Sequence, residues 1–386
     1  MTLLLDIQPK LINWAIERAR LDTAKEVDDK ASGILKIAEP WISGEKKPTM
    51  NQLRDFAKRV SVPFGYLFLE TPPEEPLPIA DFRTFRDETL RSSSPDLLDT
   101  IYEMQSRQEW MRECLVAEEA EPVSFVGFLT ETETIKKSAS KIREKLGLDD
   151  AWVHGCKDAE ERFSQLRRKA DDAGILVFTS GIVGNNTRRT LDHEEFRGFV
   201  LADEFAPLVF VNRNDTLTAQ LFTLAHELVH LALGTSGLFN LPNLTSGDKR
   251  QEKHCNAIAA ELLVPSEDFL TAFKANNSFP SLARHFGVST LVIARLALDH
   301  NLLSKDDFFA FYEEQQDNWK FEKERKKAGG DFYNTKKVRL SSRFSRAVIA
   351  AVRSGELLHQ DAYRLTGLNA KTFEPFAKII GEGGDE

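Results

Sequence analysis

Residues 221–234, Leu-Phe-Thr-Leu-Ala-His-Glu-Leu-Val-His-Leu-Ala-Leu-Gly, set two histidines and a glutamate into an otherwise apolar run. Apolar side chains at 221, 222, 224, 225, 228, 229, 231 and 232 predict a largely buried helix that stops at Gly234. His226 and His230 are spaced i,i+4, so they share one helical face at about 5–6 Å, where two imidazoles can converge on one ion. Burying both histidines and Glu227 without partners would be costly, and a metal supplies the partner. Zinc takes imidazole nitrogen at about 2.0–2.1 Å, and a catalytic zinc keeps one position open for water. Glu227, beside the first histidine, is placed to take a proton from that water.

A third protein ligand is expected from a neighbouring helix as Asp, Glu or His. The next helix starts near Gln251-Glu252 and runs to Val264-Pro265, with Ala259, Ala260, Leu262 and Leu263 packing it closely. On it Glu252 and Asn256 share a face, a carboxylate one turn from a polar group able to orient a metal-bound histidine. His254, Cys255 and Glu261 compete for the same role, although His254, two positions from Glu252, faces elsewhere on a helix. Before the histidines the period changes to that of strands at 175–178, 196–202 and 207–212. Helical patterns fill 95–119, 132–146, 157–173 and 280–302, and a charged helix is expected over 318–327 before Gly329-Gly330. Further helices are expected around 344–352, 360–365 and 370–380. The fold class is therefore α+β, mostly helical, with a small antiparallel sheet.

These residues resemble the ImmA/IrrE family of zinc metallopeptidases. The resemblance lies in Phe196-Arg197-Gly198-Phe199, in Phe222 to His230, and in Glu252 with Cys255-Asn256 and Ala259 to Pro265, and it covers about 170–300. It implies a zincin-like domain in which His226, His230 and Glu252 bind zinc, Glu227 is the general base and Asn256 supports a ligand. It also implies hydrolysis of a protein partner, often a repressor. An exposed edge at Phe196–Ala202 would hold an extended substrate, and His193 and Arg197 are candidates for stabilising the oxyanion.

Residues 10–69 read as five short helices, one of them capped by Thr23. Trp41 to Thr49 and Leu53 to Lys58 resemble the helix-turn-helix domain of the XRE (Cro/repressor-like) family. That resemblance implies a third helix, about 33–42, entering the major groove of DNA, with Lys36, Lys46 and Lys47 as candidate contacts. Four prolines within 71–78 mark a linker. The expected organisation is a helix-turn-helix domain at 1–70, a linker at 71–94, a peptidase domain at 95–316 and a basic helical domain at 317–386.

The net charge of −9 is unevenly spread, with an acidic middle and a basic end. Lys336, Lys337, Arg339 and Arg343 make that end the better candidate for nucleic acid or an acidic partner. Cys114, Cys156 and Cys255 are far apart and suit a reducing cytoplasm. The chain starts with neither a basic segment nor a long apolar run, so no signal peptide is expected. No stretch of about 18 uncharged apolar residues exists, so no membrane span is expected. The leading expectation is an intracellular zinc endopeptidase. The alternative is a DNA-binding regulator, or an antitoxin-like component of a toxin-antitoxin or mobile-element system, whose metal site is silent.

Overall fold

A computed structural model of the chain describes residues 4–19, 21, 29–75, 78, 93–149, 152–239, 250–322 and 339–382. The described residues up to Tyr102 form one compact unit, and those from Glu103 onward form another.

The first unit holds α1 (Pro9–Arg18), α2 (Asp29–Ile42), α3 (Met50–Arg59) and a 3-10 turn at Phe64–Phe68. Pro9 opens α1, where a missing N–H costs nothing. Thr49 and Gln52 cap α3 reciprocally, Gln52 N donating to Thr49 Oγ1 at 3.3 Å and Thr49 N to Gln52 Oε1 at 2.9 Å. Between α2 and α3 the chain reverses at Gly44, whose φ of 76° favours glycine. Ile12, Ala15, Ile16, Ala38, Trp41, Leu53, Phe56 and Leu67 form the core, with Trp41 edge-on to Phe56 at 5.6 Å. The helix expected at Thr23 lies outside the described residues. The helix expected at about 33–42 opens earlier, at Asp29, and the last short helix is a 3-10 turn.

The second unit contains α4 (Pro95–Ala117) from Glu103 on, then α5 (Ile135–Leu146), α6 (Ala159–Asp172), β1 (Leu176–Ser180), β2 (Gly198–Leu201), β3 (Leu208–Asn212) and α7 (Leu217–Ala232). There follow β4 (Gly237–Phe239), α8 (Arg250–Leu263), α9 (Ser266–Ala275), α10 (Phe279–Phe286), α11 (Thr290–Asp299) and α12 (Lys305–Glu322). The last helices are α13 (Ser342–Ser354), α14 (His359–Thr366) and α15 (Ala370–Glu382). Among the described residues, no helix is long and apolar enough to cross a membrane.

The sheet corrects the expectation of an antiparallel one. Its order is β1-β3-β2-β4, and β1 pairs parallel with β3, Leu176 opposite Leu208 through Ser180 opposite Asn212. β2 is antiparallel to both β3 and β4. The β2–β3 hairpin leaves the far side of β3 open, and β1 fills it. β4 covers the other flank of β2, so Phe196–Ala202 is an inner strand and not the exposed edge expected from the sequence.

Alternation along the strands separates two faces. Val177, Val200, Val209 and Val211 belong to the core that α5, α6, α7 and α8 complete. Phe178, Phe199 and Phe210 belong to the other face, where Phe199 stacks on Phe210 at 4.9 Å. Phe344 of α13 caps that side, 5.2 Å from Phe178 and 5.5 Å from Trp110 of α4. Ser341 caps α13 by accepting from Phe344 N at 3.2 Å. Its own hydroxyl donates to Asp171 Oδ1 at 2.6 Å, while Ser342 N donates to Asp171 Oδ2 at 3.2 Å. The C-terminal helices are thus pinned to the end of α6.

Candidate metal centre

Thr216 caps α7 by accepting from Ala219 N at 3.3 Å, and every residue from Gln220 to Ala232 is buried. The helix presses against β2 and β3 on one side and against α6 and α8 on the other. His226, Glu227 and His230 are each 1% exposed, so the three polar side chains sit inside a helix–sheet sandwich. α8 supplies the opposite wall. His226 Nε2 and His230 Nε2 lie 3.0 Å apart, and each is 3.4 Å from a Glu252 oxygen. Of the described residues, only these three form a group whose ligand atoms lie close enough, within 4.8 Å of one another, to hold a metal ion.

The segment after α7 determines which nitrogen of His230 faces this centre. Gly234, at φ 73°, turns the chain back so that Thr235 Oγ1 donates to His230 O at 3.1 Å. With its only hydrogen used, the hydroxyl accepts from His230 Nδ1 at 3.1 Å. Nδ1 therefore carries the proton, and the Nε2 lone pair points at the Glu252 carboxylate. Electron pairs from imidazole and carboxylate face each other, which a cation between them would make favourable. The donor set of two imidazoles and one carboxylate, with water in the fourth place, is one that zinc uses.

The electrostatics agree with that fit. Burial pushes His230 down to about 4, so it is neutral near pH 7. Burial opposes the Glu252 charge, but the neighbouring His226 and His230 prevail and draw it to about 2. Burial first, and Glu252 second, hold the Glu227 carboxyl well above the usual carboxylate range. Glu227 Oε2 is buried without a hydrogen-bond partner.

Gly198 makes room for Glu227. A Cβ at this start of β2 would lie 2.7 Å from Thr223 Cγ2, 2.8 Å from Glu227 Oε1 and 2.9 Å from Phe210 O. The glycine therefore lets the glutamate-bearing turn of α7 approach the strand.

The other sequence candidates fall elsewhere. Glu261 accepts from both the backbone N and the hydroxyl of Ser266 at the start of α9, so its carboxylate is occupied there. Cys255 Sγ approaches His230 from behind, 3.8 Å from Nδ1. Asn256 is half-buried with its Oδ1 unpartnered, and the hydrogen bond that orients His230 comes from Thr235. His254 is also half-buried, with Nε2 unpartnered. Arg197 is engaged with Asp215 at 3.2 Å, and His193 sits half-buried in the turn before β2. Lys36, Lys46 and Lys47 are exposed, Lys47 lying 3.1 Å from Asp6. Lys336 and Lys337 lie outside the described residues. Arg339 and Arg343 are half-buried, and Arg343 Nε has no partner. Sequence reasoning missed Thr235, whose only signal was a hydroxyl directly after the helix-stopping Gly234.

A search of curated proteins finds no match. Residues 340–379 match the family model of a domain of unknown function (DUF8813). Residues 170–297, which carry the whole sheet with α7 and α8, match the family model Peptidase_M78, described as an IrrE N-terminal-like domain, and this supports a metallopeptidase-type function of the ImmA/IrrE family.

Proposed function

We propose that the chain is a zinc-dependent endopeptidase acting on a protein partner such as a repressor. His226, His230 and Glu252 would hold the ion, and Glu227 would be the general base. The observation that carries this reading is the convergence of three ligand atoms from α7 and α8 beside a buried carboxylate whose Oε2 has no hydrogen-bond donor. Zinc, when bound, supplies a Lewis acid that polarises a carbonyl and makes water a better nucleophile.

The chain's own residues do the rest. Thr235 fixes the ring orientation and tautomer of His230. The apolar flanks of α7, with Leu224, Ala225, Leu228 and Val229 fully buried, exclude bulk water from behind the cluster. Glu227 accepts the proton released by the attacking water and delivers it to the leaving amine, so one side chain serves both halves of the hydrolysis. Gly198 sets how closely that carboxylate can lie to β2.

The test combines metal content with cleavage. Wild-type protein should hold about one zinc per chain, and His230→Ala should lose it. Glu227→Gln should keep zinc and capture the substrate protein from the host extract. Cleavage of that captured protein should be about 10²–10⁴ slower with the variant than with wild type. Full zinc occupancy in His230→Ala, or wild-type cleavage by Glu227→Gln, would overturn the assignment.

A further inference from the structure

A file of polar side chains runs along the buried surface of α7. Gln220, Thr223 and Glu227 are spaced three and then four apart, so they share one face of the helix. Thr223 and Glu227 are each 1% exposed and Gln220 is 4% exposed. That face meets the start of β2. A Cβ on Gly198 would stand 2.7 Å from Thr223 Cγ2 and 2.8 Å from Glu227 Oε1, so a methyl group and a carboxylate oxygen flank the same small gap.

Thr223 holds a donor that the fold does not use. A threonine inside a helix commonly gives its hydroxyl proton to the carbonyl three or four residues back. Thr223 Oγ1 is instead buried with no hydrogen-bond partner among the described residues. Gln220 has no donor to spare, because its Nε2 donates to Arg213 O at 3.2 Å and to Asp215 O at 2.8 Å. An unmatched hydroxyl one turn from a buried carboxylate costs stability that a hydrogen bond between the two would recover.

We propose that Thr223 is a positioning residue for Glu227: its hydroxyl donates to Glu227 Oε1 across the gap at Gly198 and leaves Oε2 directed at the metal cluster. Helical threonine uses two side-chain rotamers, and exchange between them puts Oγ1 where Cγ2 stands, facing Oε1. Glycine at 198 provides the space in which the two side chains meet. With one oxygen held, the other keeps its lone pairs for the proton of the attacking water. The positioning role rests on the reading of Glu227 as general base, whereas the contact itself needs no metal.

Thr223→Val keeps the shape and removes the hydroxyl, and Thr223→Ser keeps the hydroxyl. The first measurement is thermal melting of the full chain after chelator treatment, for wild type, Thr223→Val, Glu227→Met and the double variant. Thr223→Val should lower the melting temperature of the second unit by about 2–4 °C, and should cause no such loss beside Glu227→Met. Thr223→Ser should melt close to wild type. The same shift in both backgrounds, or no shift in either, would overturn the contact. The second measurement is cleavage of the protein captured by Glu227→Gln. In Thr223→Val kcat should fall about tenfold or more with KM and zinc content unchanged, and Thr223→Ser should recover most of the loss. An unchanged kcat in Thr223→Val would overturn the positioning role while leaving Glu227 as the base. Wild-type protein without zinc would overturn the peptidase reading and the positioning role together, and the melting comparison would still decide whether the two side chains are bonded.

Discussion

Two places in the second unit bury carboxylates between helices, and the chain completes only one of them. At the junction of α6 and α13, Asp171 receives a donor on each oxygen, from Ser341 Oγ and Ser342 N. Between α7 and α8, Glu227 Oε2 receives none, and the Glu252 oxygens face imidazole nitrogens across 3.4 Å. Burial alone therefore does not mark a working site, since both groups are deeply buried. The mark is an arrangement that the chain's own donors leave unfinished and that an added cation and water would finish. Asp171 is a structural fastening; under the proposed function, Glu227 is a group kept available.

The largest effect that would separate these two environments is expected at Gly198. Gly198→Ala places a Cβ within 2.7–2.9 Å of Thr223, Glu227 and the Phe210 carbonyl, and the carbonyl belongs to a central strand that cannot retreat. Destabilisation of about 1–3 kcal/mol is expected, with cleavage falling further than stability because Glu227 must shift. A denaturation midpoint and a cleavage rate measured on the same sample check this. Equal, small losses in both would mean that Glu227 does not depend on that close approach.

Next comes Thr235. Thr235→Val keeps the shape but removes the acceptor of the His230 Nδ1 proton, and zinc affinity should fall about 10–100-fold. Thr235→Ser should restore it. Competition with a chelator measures the affinity without reference to cleavage. His230→Ala serves as the control that loses the metal outright. Wild-type affinity in the valine variant would remove Thr235 from the site while leaving the ligand assignment intact.

Much of the site was legible because helical spacing converts directly into geometry. His226 and His230 at i,i+4, on a helix with no polar face, had to meet inside the protein, and Glu252 sat on the next apolar helix. What was not legible depends on elements meeting across the fold. Periodicity identified β1, β2 and β3 as strands but carried no information on which neighbour each would choose, so the parallel β1–β3 pair was missed. β4, three residues with a glycine, is too short to form a pattern, and without it β2 was read as an edge. Thr235 reaches His230 only because the chain folds back at Gly234. Arg339, grouped by sequence with a basic end, is half-buried, and Leu340 beside it receives Arg167.

The smallest expected effect tests the completed side of the comparison. Asp171→Asn cannot satisfy both donors, because one oxygen becomes an amide that itself donates, so about 1 kcal/mol of stability should be lost. The loss should depend on pH. Burial raises the Asp171 carboxyl above its ordinary value, outweighing Arg167 and the hydrogen bonds from Ser341, Ser342 and Val177, so the folded chain holds this proton more tightly than the unfolded chain does. A group of this kind contributes most below its unfolded pKa of about 3.9 and loses that contribution as pH rises through the folded value. Asparagine does not titrate. The advantage of wild type over Asp171→Asn should therefore be largest near pH 4 and shrink as pH rises from there. Urea midpoints across that range measure it, and zinc content at pH 7 should be the same in both proteins. A stability gap that widens with pH would mean the carboxylate is held in its charged form, and a loss of zinc would mean that the α6–α13 fastening and the metal cluster are one cooperative system.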